Sequence, residues 1–232
     1  MQSEILTQPV FTLTLTIAVF VLASWINRRT RAHPLANPVL LSVAALIAIM
    51  VTTNMPYERY FEGAQFIHFL LGPATVALAV PMSRHIGKVR TTLLPIFVGI
   101  VAGTSAGLGV IAMLAFISSS DTALAASLAT KSVTAPVAMG IAQHTGAIPS
   151  LAAIFAVLAG MTGAAFGPAL LDRLGVTDPL ARGLAMGTAS HGQGTARMLQ
   201  ESEEAGAVSS LAMGVTALMM AVVMPVVARA LG

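Results

Sequence analysis

The run TLLPIFVGIVAGTSAGLGVIAMLAFI (92–117) decides the fold class, because it carries no charged residue from end to end. As a helix it reaches about 39 Å, more than the hydrocarbon layer of about 30 Å. The glycine-rich GTSAGLG (103–109) lies inside this run, so it reads as membrane backbone and not as a phosphate loop. Working outward, the whole chain has the same character. Hydrophobic residues make up 56% of the 232 residues and charged residues only 9%. A soluble globule carries roughly a quarter charged residues, since its surface must stay hydrated. The bilayer is therefore the solvent, and the chain reads as an all-α integral membrane protein. A net charge of +3, thinly spread, excludes a nucleic-acid footprint. With no cysteine, structural disulfides and thiolate metal sites are excluded. No HExxH, GxSxG, Walker A or dinucleotide fingerprint occurs, so no metal, cofactor or catalytic group is expected.

Further apolar stretches suit spans at 10–26, 37–53, 64–82, 148–171, 183–199 and 207–229. The first, VFTLTLTIAVFVLASWI, follows Glu4 and no basic stretch, so it reads as a retained helix and not a cleaved signal. The segment 122–142 carries Lys131 and Pro136 at its centre. Full crossing there makes eight spans; a dip and return makes seven. Short connections leave no room for a soluble domain, so residues 1–232 read as a single transmembrane domain. Arg28, Arg29, Arg31, Arg84, Lys88 and Arg90 in the loops place those loops in the cytoplasm. The dip adds Arg173, Arg182 and Arg229 to that side, so the charge pattern favours it. Spans 2–4 and 5–7 then run in opposite senses. That is the arrangement of an inverted-topology repeat, with halves about 35–117 and 148–230 and interrupted helices marking a midplane site.

Polar groups at membrane depth are expensive and are normally turned inward. Three clusters qualify. Gly72-Pro73-Ala74-Thr75 is either a packing kink or a broken helix lining a cavity. Lys131-Ser132-Val133-Thr134-Ala135-Pro136 joins an ammonium to two hydroxyls and a proline fit for a first helical turn. A snorkelling lysine is the competing reading. The densest cluster is Thr188-Ala189-Ser190-His191-Gly192-Gln193-Gly194-Thr195-Ala196-Arg197. Its glycines weaken the helix where Ser190, His191 and Gln193 could reach a ligand. Arg197 could clamp a carboxylate through paired N–H bonds. Candidate substrate contacts are thus Thr75, Lys131, Ser132, Thr134, Ser190, His191, Gln193, Thr195 and Arg197. The spaced glycines at 99, 103 and 107 and at 163 and 167 read as close helix packing.

The ordered motifs KSVTAPVAMGIAQHTGAIPSLAAIFAVLAGMTGAAFGPALL (131–171) and ARGLAMGTASHGQGTARMLQESEEAGAVSSLAMGV (181–215) resemble the LrgB/CidB family. NPVLLS (37–42) and FLLGPATVALAVPM (69–82) fit its N-terminal half. The resemblance implies a multi-pass bacterial inner-membrane protein with a small LrgA/CidA-type membrane partner. It also implies links to murein hydrolase control and to transport of small carboxylates such as pyruvate; a plant relative moves glycolate and glycerate. Two functions therefore compete. One is a secondary transporter of small monocarboxylates. The other is an antiholin-like regulator that acts by forming a homo-oligomer or by binding its partner, in which the polar clusters would tolerate substitution. An intramembrane hydrolase is disfavoured, since adjacent Ser190 and His191 point about 100° apart on a helix.

Overall fold

The structure is a computed structural model that describes residues 8–30, 36–70, 73, 76–77, 79–84, 86–119 and 121–231. Thr75, with Gly72 and Ala74, lies outside the described residues. Among those described, every regular element is helical. The chain divides into two compact units, 1–77 and 78–232.

The first unit holds α1 (Pro9–Arg29), α2 (Pro38–Thr53) and α3 (Tyr57–Phe69). Asn37 starts α2, its Oδ1 accepting from the amides of Val39 and Leu40, while Pro38 takes the first turn, where no amide donor is needed. The Tyr60 hydroxyl meets Thr16 Oγ1 at 2.9 Å and ties α3 to α1. At Gly63 the two helices touch so closely that any side chain would strike Thr12 Oγ1 and the Pro9 carbonyl.

The second unit holds α4 (Ala79–Arg84), α5 (Ile86–Thr91), α6 (Leu93–Ser118), α7 (Thr122–Ala129), a 3-10 turn (Thr130–Ser132), α8 (Ala135–Ala142), α9 (Pro149–Arg173), α10 (Pro179–Glu201) and α11 (Glu203–Leu231). By length and composition, α1, α6, α9 and residues 203–229 of α11 can cross a membrane. These are four candidate spans among the described residues, not the seven or eight expected. Three differences account for the gap. The 16-residue α2 is apolar but short. The stretch 64–82 is not one helix, because α3 ends at Phe69. The stretch 183–199 does not cross at all.

That last correction shapes the unit. As one straight rod, the 23 residues of α10 would hold Arg182 and Glu201 about 28 Å apart. Their side chains instead meet at 3.0 Å. The reversal occurs at His191, whose φ of 40° and ψ of −129° are non-helical. So α10 is a hairpin of two arms, 179–190 and 192–201, entering and leaving at one end. Gly194 makes it possible: a Cβ there would strike the Met186 carbonyl of the facing arm and lie 2.8 Å from Ser190 Cβ. A second hairpin enters from the opposite end. Its arms α7 and α8 are eight residues each, about 12 Å, and too short to cross. The Ser127 hydroxyl accepts from the Ile148 amide at 2.8 Å, which ties the start of α9 to the inner half of α7.

The long helices flank these hairpins, and their contacts fix the directions. Gly99 and Gly103 of α6 lie against Leu184 and Thr188. Gly167, Gly163 and Gly160 of α9 lie against Met186, Ser190 and His191, in falling order. Ala205 and Ser209 of α11 meet Gly183 and Gly187 in rising order. Thus α6 and α11 run parallel and α9 runs against them. Close approach of backbone, as the glycine spacing suggests, is what this packing uses.

Candidate functional site

Where the hairpin tips arrive, the core changes character. On α11 the stripe Val208, Ala212, Thr216, Met220 and Met224 is buried throughout. Val208 and Ala212 pack with Ile96 and Ile100 of α6, whereas Met220 and Met224 pack with Ile111, Val133 and Ala138. Thr216 interrupts the stripe between these two apolar cores. On α6, Thr104 follows Ile100 by one turn and likewise falls between the two cores, to which Ile100 and Ile111 belong. The α9 helix passes from Ala152 and Ala156 in one core to Leu171 in another, with His191 and Gln193 against Gly160 between them. A polar layer therefore crosses the unit midway along its long helices.

Membrane helices usually satisfy a hydroxyl on the carbonyl one turn earlier, as Thr14, Thr16, Ser42, Ser127 and Ser210 do here at 2.6–2.8 Å. In the polar layer that solution fails. Thr104, Thr188 and Thr216 are at most 6% exposed, yet their Oγ1 atoms have no hydrogen-bond partner among the described residues. The Gln193 amide oxygen is buried and unpartnered as well. Buried polar atoms are almost always bonded, so four orphans on α6, α10 and α11 mark a place for a ligand or solvent.

The candidates read from sequence fall into three groups. Lys131 lies in the 3-10 turn, its Nζ 3.4 Å from Ser132 Oγ and facing Gly107 of α6, one turn past Gly103. No acidic side chain lies within ion-pair distance of it among the described residues. Thr134 starts α8 but makes no side-chain cap. Lys131, Ser132, His191 and Gln193 thus belong to the hairpin tips. Ser190 and Thr195 support the tip from either side. Ser190 packs on Gly163, and the Thr195 hydroxyl donates to the His191 carbonyl and meets Ser209 Oγ, both at 2.9 Å. His191 Nε2 lies 2.8 Å from the Ala156 carbonyl, which fixes the ring on α9. Ser190 and His191 make no mutual bond.

Arg197 stands apart. Its guanidinium turns away from the tip to Glu201 at 3.5 Å and Gln200 at 3.5 Å. At the same end Arg182 closes the hairpin mouth, bonding Asp172 at 2.7 Å, Glu201 at 3.0 Å and the Val176 carbonyl at 2.9 Å. Arg84 joins there through Glu203 at 2.8 Å. Arg229 lies toward the far end of α11, not with Arg182 as a crossing 183–199 segment would have required.

Sequence reasoning missed Thr104 and Thr216, and it quoted Thr188 without assigning it. The available signal was a hydroxyl continuing an apolar stripe, I96-I100-T104 and V208-A212-T216-M220.

Comparison with known proteins agrees with the motifs. The LrgB-like family model matches residues 16–230. The chain belongs to the LrgB-like family. It is 36% identical to YxaC of Bacillus subtilis (strain 168) over 188 residues, covering 80% of this chain and 81% of that protein. It is 31% identical to the holin-like protein CidB of Staphylococcus epidermidis over 221 residues, 94% of this chain and 95% of that one. The antiholin-like protein LrgB of Bacillus mycoides is 27% identical over 217 residues, 94% of each chain. No solved structure matches. This LrgB-family chain is thus a helical membrane protein with two opposed hairpins meeting in a polar layer.

Proposed function

We propose that this protein carries small monocarboxylates of the pyruvate and glycolate type across the bacterial inner membrane, with an LrgA/CidA-like small membrane protein as partner. One observation carries the reading: the ammonium of Lys131, at the tip of the α7–α8 hairpin, has no acidic partner among the described residues and faces α6 one turn past Gly103, against which the α10 hairpin lies. A lysine at bilayer depth costs about 2.5–3.5 kcal/mol on insertion scales and is retained where it binds something. The second arm of α10 begins at the tip, as does α8, so both turn amide-rich N-termini toward the layer, which suits a carboxylate. Lys131 supplies the charge; Ser132, Thr134, Ser190 and Gln193 supply hydrogen bonds; His191 and Thr195 hold the tip. Arg197, drawn toward Glu201, meets the anion on its approach and not at the tip. The hairpin-plus-helix pairs 122–173 and 179–229 form the inverted arrangement, in place of the halves 35–117 and 148–230. The end bearing Arg84, Arg173 and Arg182 faces the cytoplasm by the positive-inside rule. The chemistry is carriage without bond-making, so the protein is no enzyme.

The test is uptake of labelled pyruvate, glycolate and lactate into proteoliposomes, with and without the partner. Lys131→Ala abolishes flux while expression and folding persist. Wild-type flux in that variant overturns the reading. The printed names of relatives, holin-like and antiholin-like, favour a second reading: a regulator of murein hydrolase activity and lysis. Under it, substitutions on helix-packing and lipid-facing surfaces matter and Lys131→Ala is silent.

A further inference from the structure

One of the orphaned oxygens, the Gln193 amide oxygen, asks for an occupant that an anion does not supply. Thr104 Oγ1, Thr188 Oγ1, Thr216 Oγ1 and Gln193 Oε1 are all oxygens, and the amide oxygen can only accept. Thr188 sits near the carbonyl end of the first arm of α10, where the break at His191 takes away the next turn of amide donors. The end of a broken helix carries partial negative charge and unwound carbonyls, the usual surroundings of a coupling cation. Thr104 adjoins Gly103, where an added Cβ would lie 3.4 Å from Thr188 Cγ2, and Gly187 touches α11 one turn before Thr216 at Ala212. Three neighbouring helices thus each carry one of the hydroxyls.

From these atoms we infer that the polar layer holds a monovalent alkali cation, Na+, ligated by Thr104, Thr188, Thr216, Gln193 and the carbonyl end of the first arm. The acidic residues of the second unit, Asp121, Asp172, Asp178, Glu201, Glu203 and Glu204, stand at the ends of its helices and none lies in the layer. Ca2+ and Mg2+ require carboxylates, and softer metals require nitrogen or sulfur, so the uncharged oxygen set suits Na+. This site stands on the orphaned oxygens alone and does not depend on which anion, if any, is carried.

The test uses purified full-length protein without carboxylate. Thermal unfolding is followed at about 100 mM NaCl, KCl or choline chloride, with labelled-sodium binding by scintillation proximity in parallel. Na+ raises the unfolding temperature of the wild type over both other salts. Thr188→Val and Thr104→Val keep the side-chain shape, unfold normally in choline, and lower Na+ affinity by at least about tenfold. Thr188→Ser restores the response. Indistinguishable unfolding in all three salts overturns the inference and leaves water as the occupant; so does a Na+ response that survives both valine variants. Should Thr188→Val fail to fold, Thr104→Val and Thr216→Val decide alone. Because no flux is measured, failure here leaves the carrier reading standing, and lost flux in Lys131→Ala leaves this one standing.

Discussion

The hairpin geometry makes a quantitative demand on Gly163→Ala. A Cβ added at 163 would strike Ser190 Oγ and lie 2.6 Å from Ser190 Cβ. Ordinary carbon–carbon contact is near 4 Å, so the first arm of α10 must retreat by about 1.4 Å. Overpacking of that size costs about 1–3 kcal/mol, and replacing glycine in a helix returns about 0.5–1 kcal/mol, for a net loss of up to about 2.5 kcal/mol. Gly109 of α6 and Gly214 of α11 provide the controls, since nothing lies within 4 Å of a Cβ at either. Gly109→Ala and Gly214→Ala should therefore stabilise by up to about 1 kcal/mol through helix propensity alone. The assay is unfolding of each purified variant in mild detergent, read by circular dichroism and referenced to wild type. The sign of the effect is the prediction: negative at 163, positive at 109 and 214. Stabilisation by all three would refute the hairpin packing, because a straight α10 would not press Ser190 into α9.

Two further perturbations probe the same element. Arg182→Gln removes both carboxylate partners and the Val176 carbonyl from a guanidinium only 12% exposed. With Asp172 68% exposed, the loss is about 2–3 kcal/mol, and hydrogen exchange across 179–201 should rise. His191→Gly suits the positive φ and should be more stable than His191→Ala by about 1 kcal/mol, since only glycine adopts that region freely. Equal stabilities would remove the reversal from residue 191.

How much of this was legible beforehand follows from where the signals reside. Composition and the uncharged run 92–117 specify a membrane helix, because hydrophobic length alone sets spanning. The break at Lys131-Ser132 was legible too, since a charge and a proline at mid-depth are rarely compatible with one crossing helix. The reversal at His191 was not. It rests on a single residue's dihedral angles and on a close arm contact at Gly194, and neither alters the hydropathy of 183–199. The assignment of Arg197 followed from its chemistry, but its direction is set by Glu201, four residues on, which takes the guanidinium away from the tip. Thr104 and Thr216 escaped because isolated hydroxyls in apolar helices are cheap when bonded to the preceding turn. Only packing reveals that these two are not.

Carriage of an anion requires that the polar layer be wet and open to it. The chain has no cysteine, so single cysteines can report on it without background. Thr104→Cys and Thr216→Cys should react with a membrane-impermeant thiol reagent in oriented vesicles and be protected by pyruvate or glycolate. Leu218→Cys and Val222→Cys, on the 71% and 68% exposed apolar face of α11, should not react. Reaction at the layer with protection by carboxylate is the predicted result; silence at 104 and 216 equal to that at 218 and 222 would contradict it.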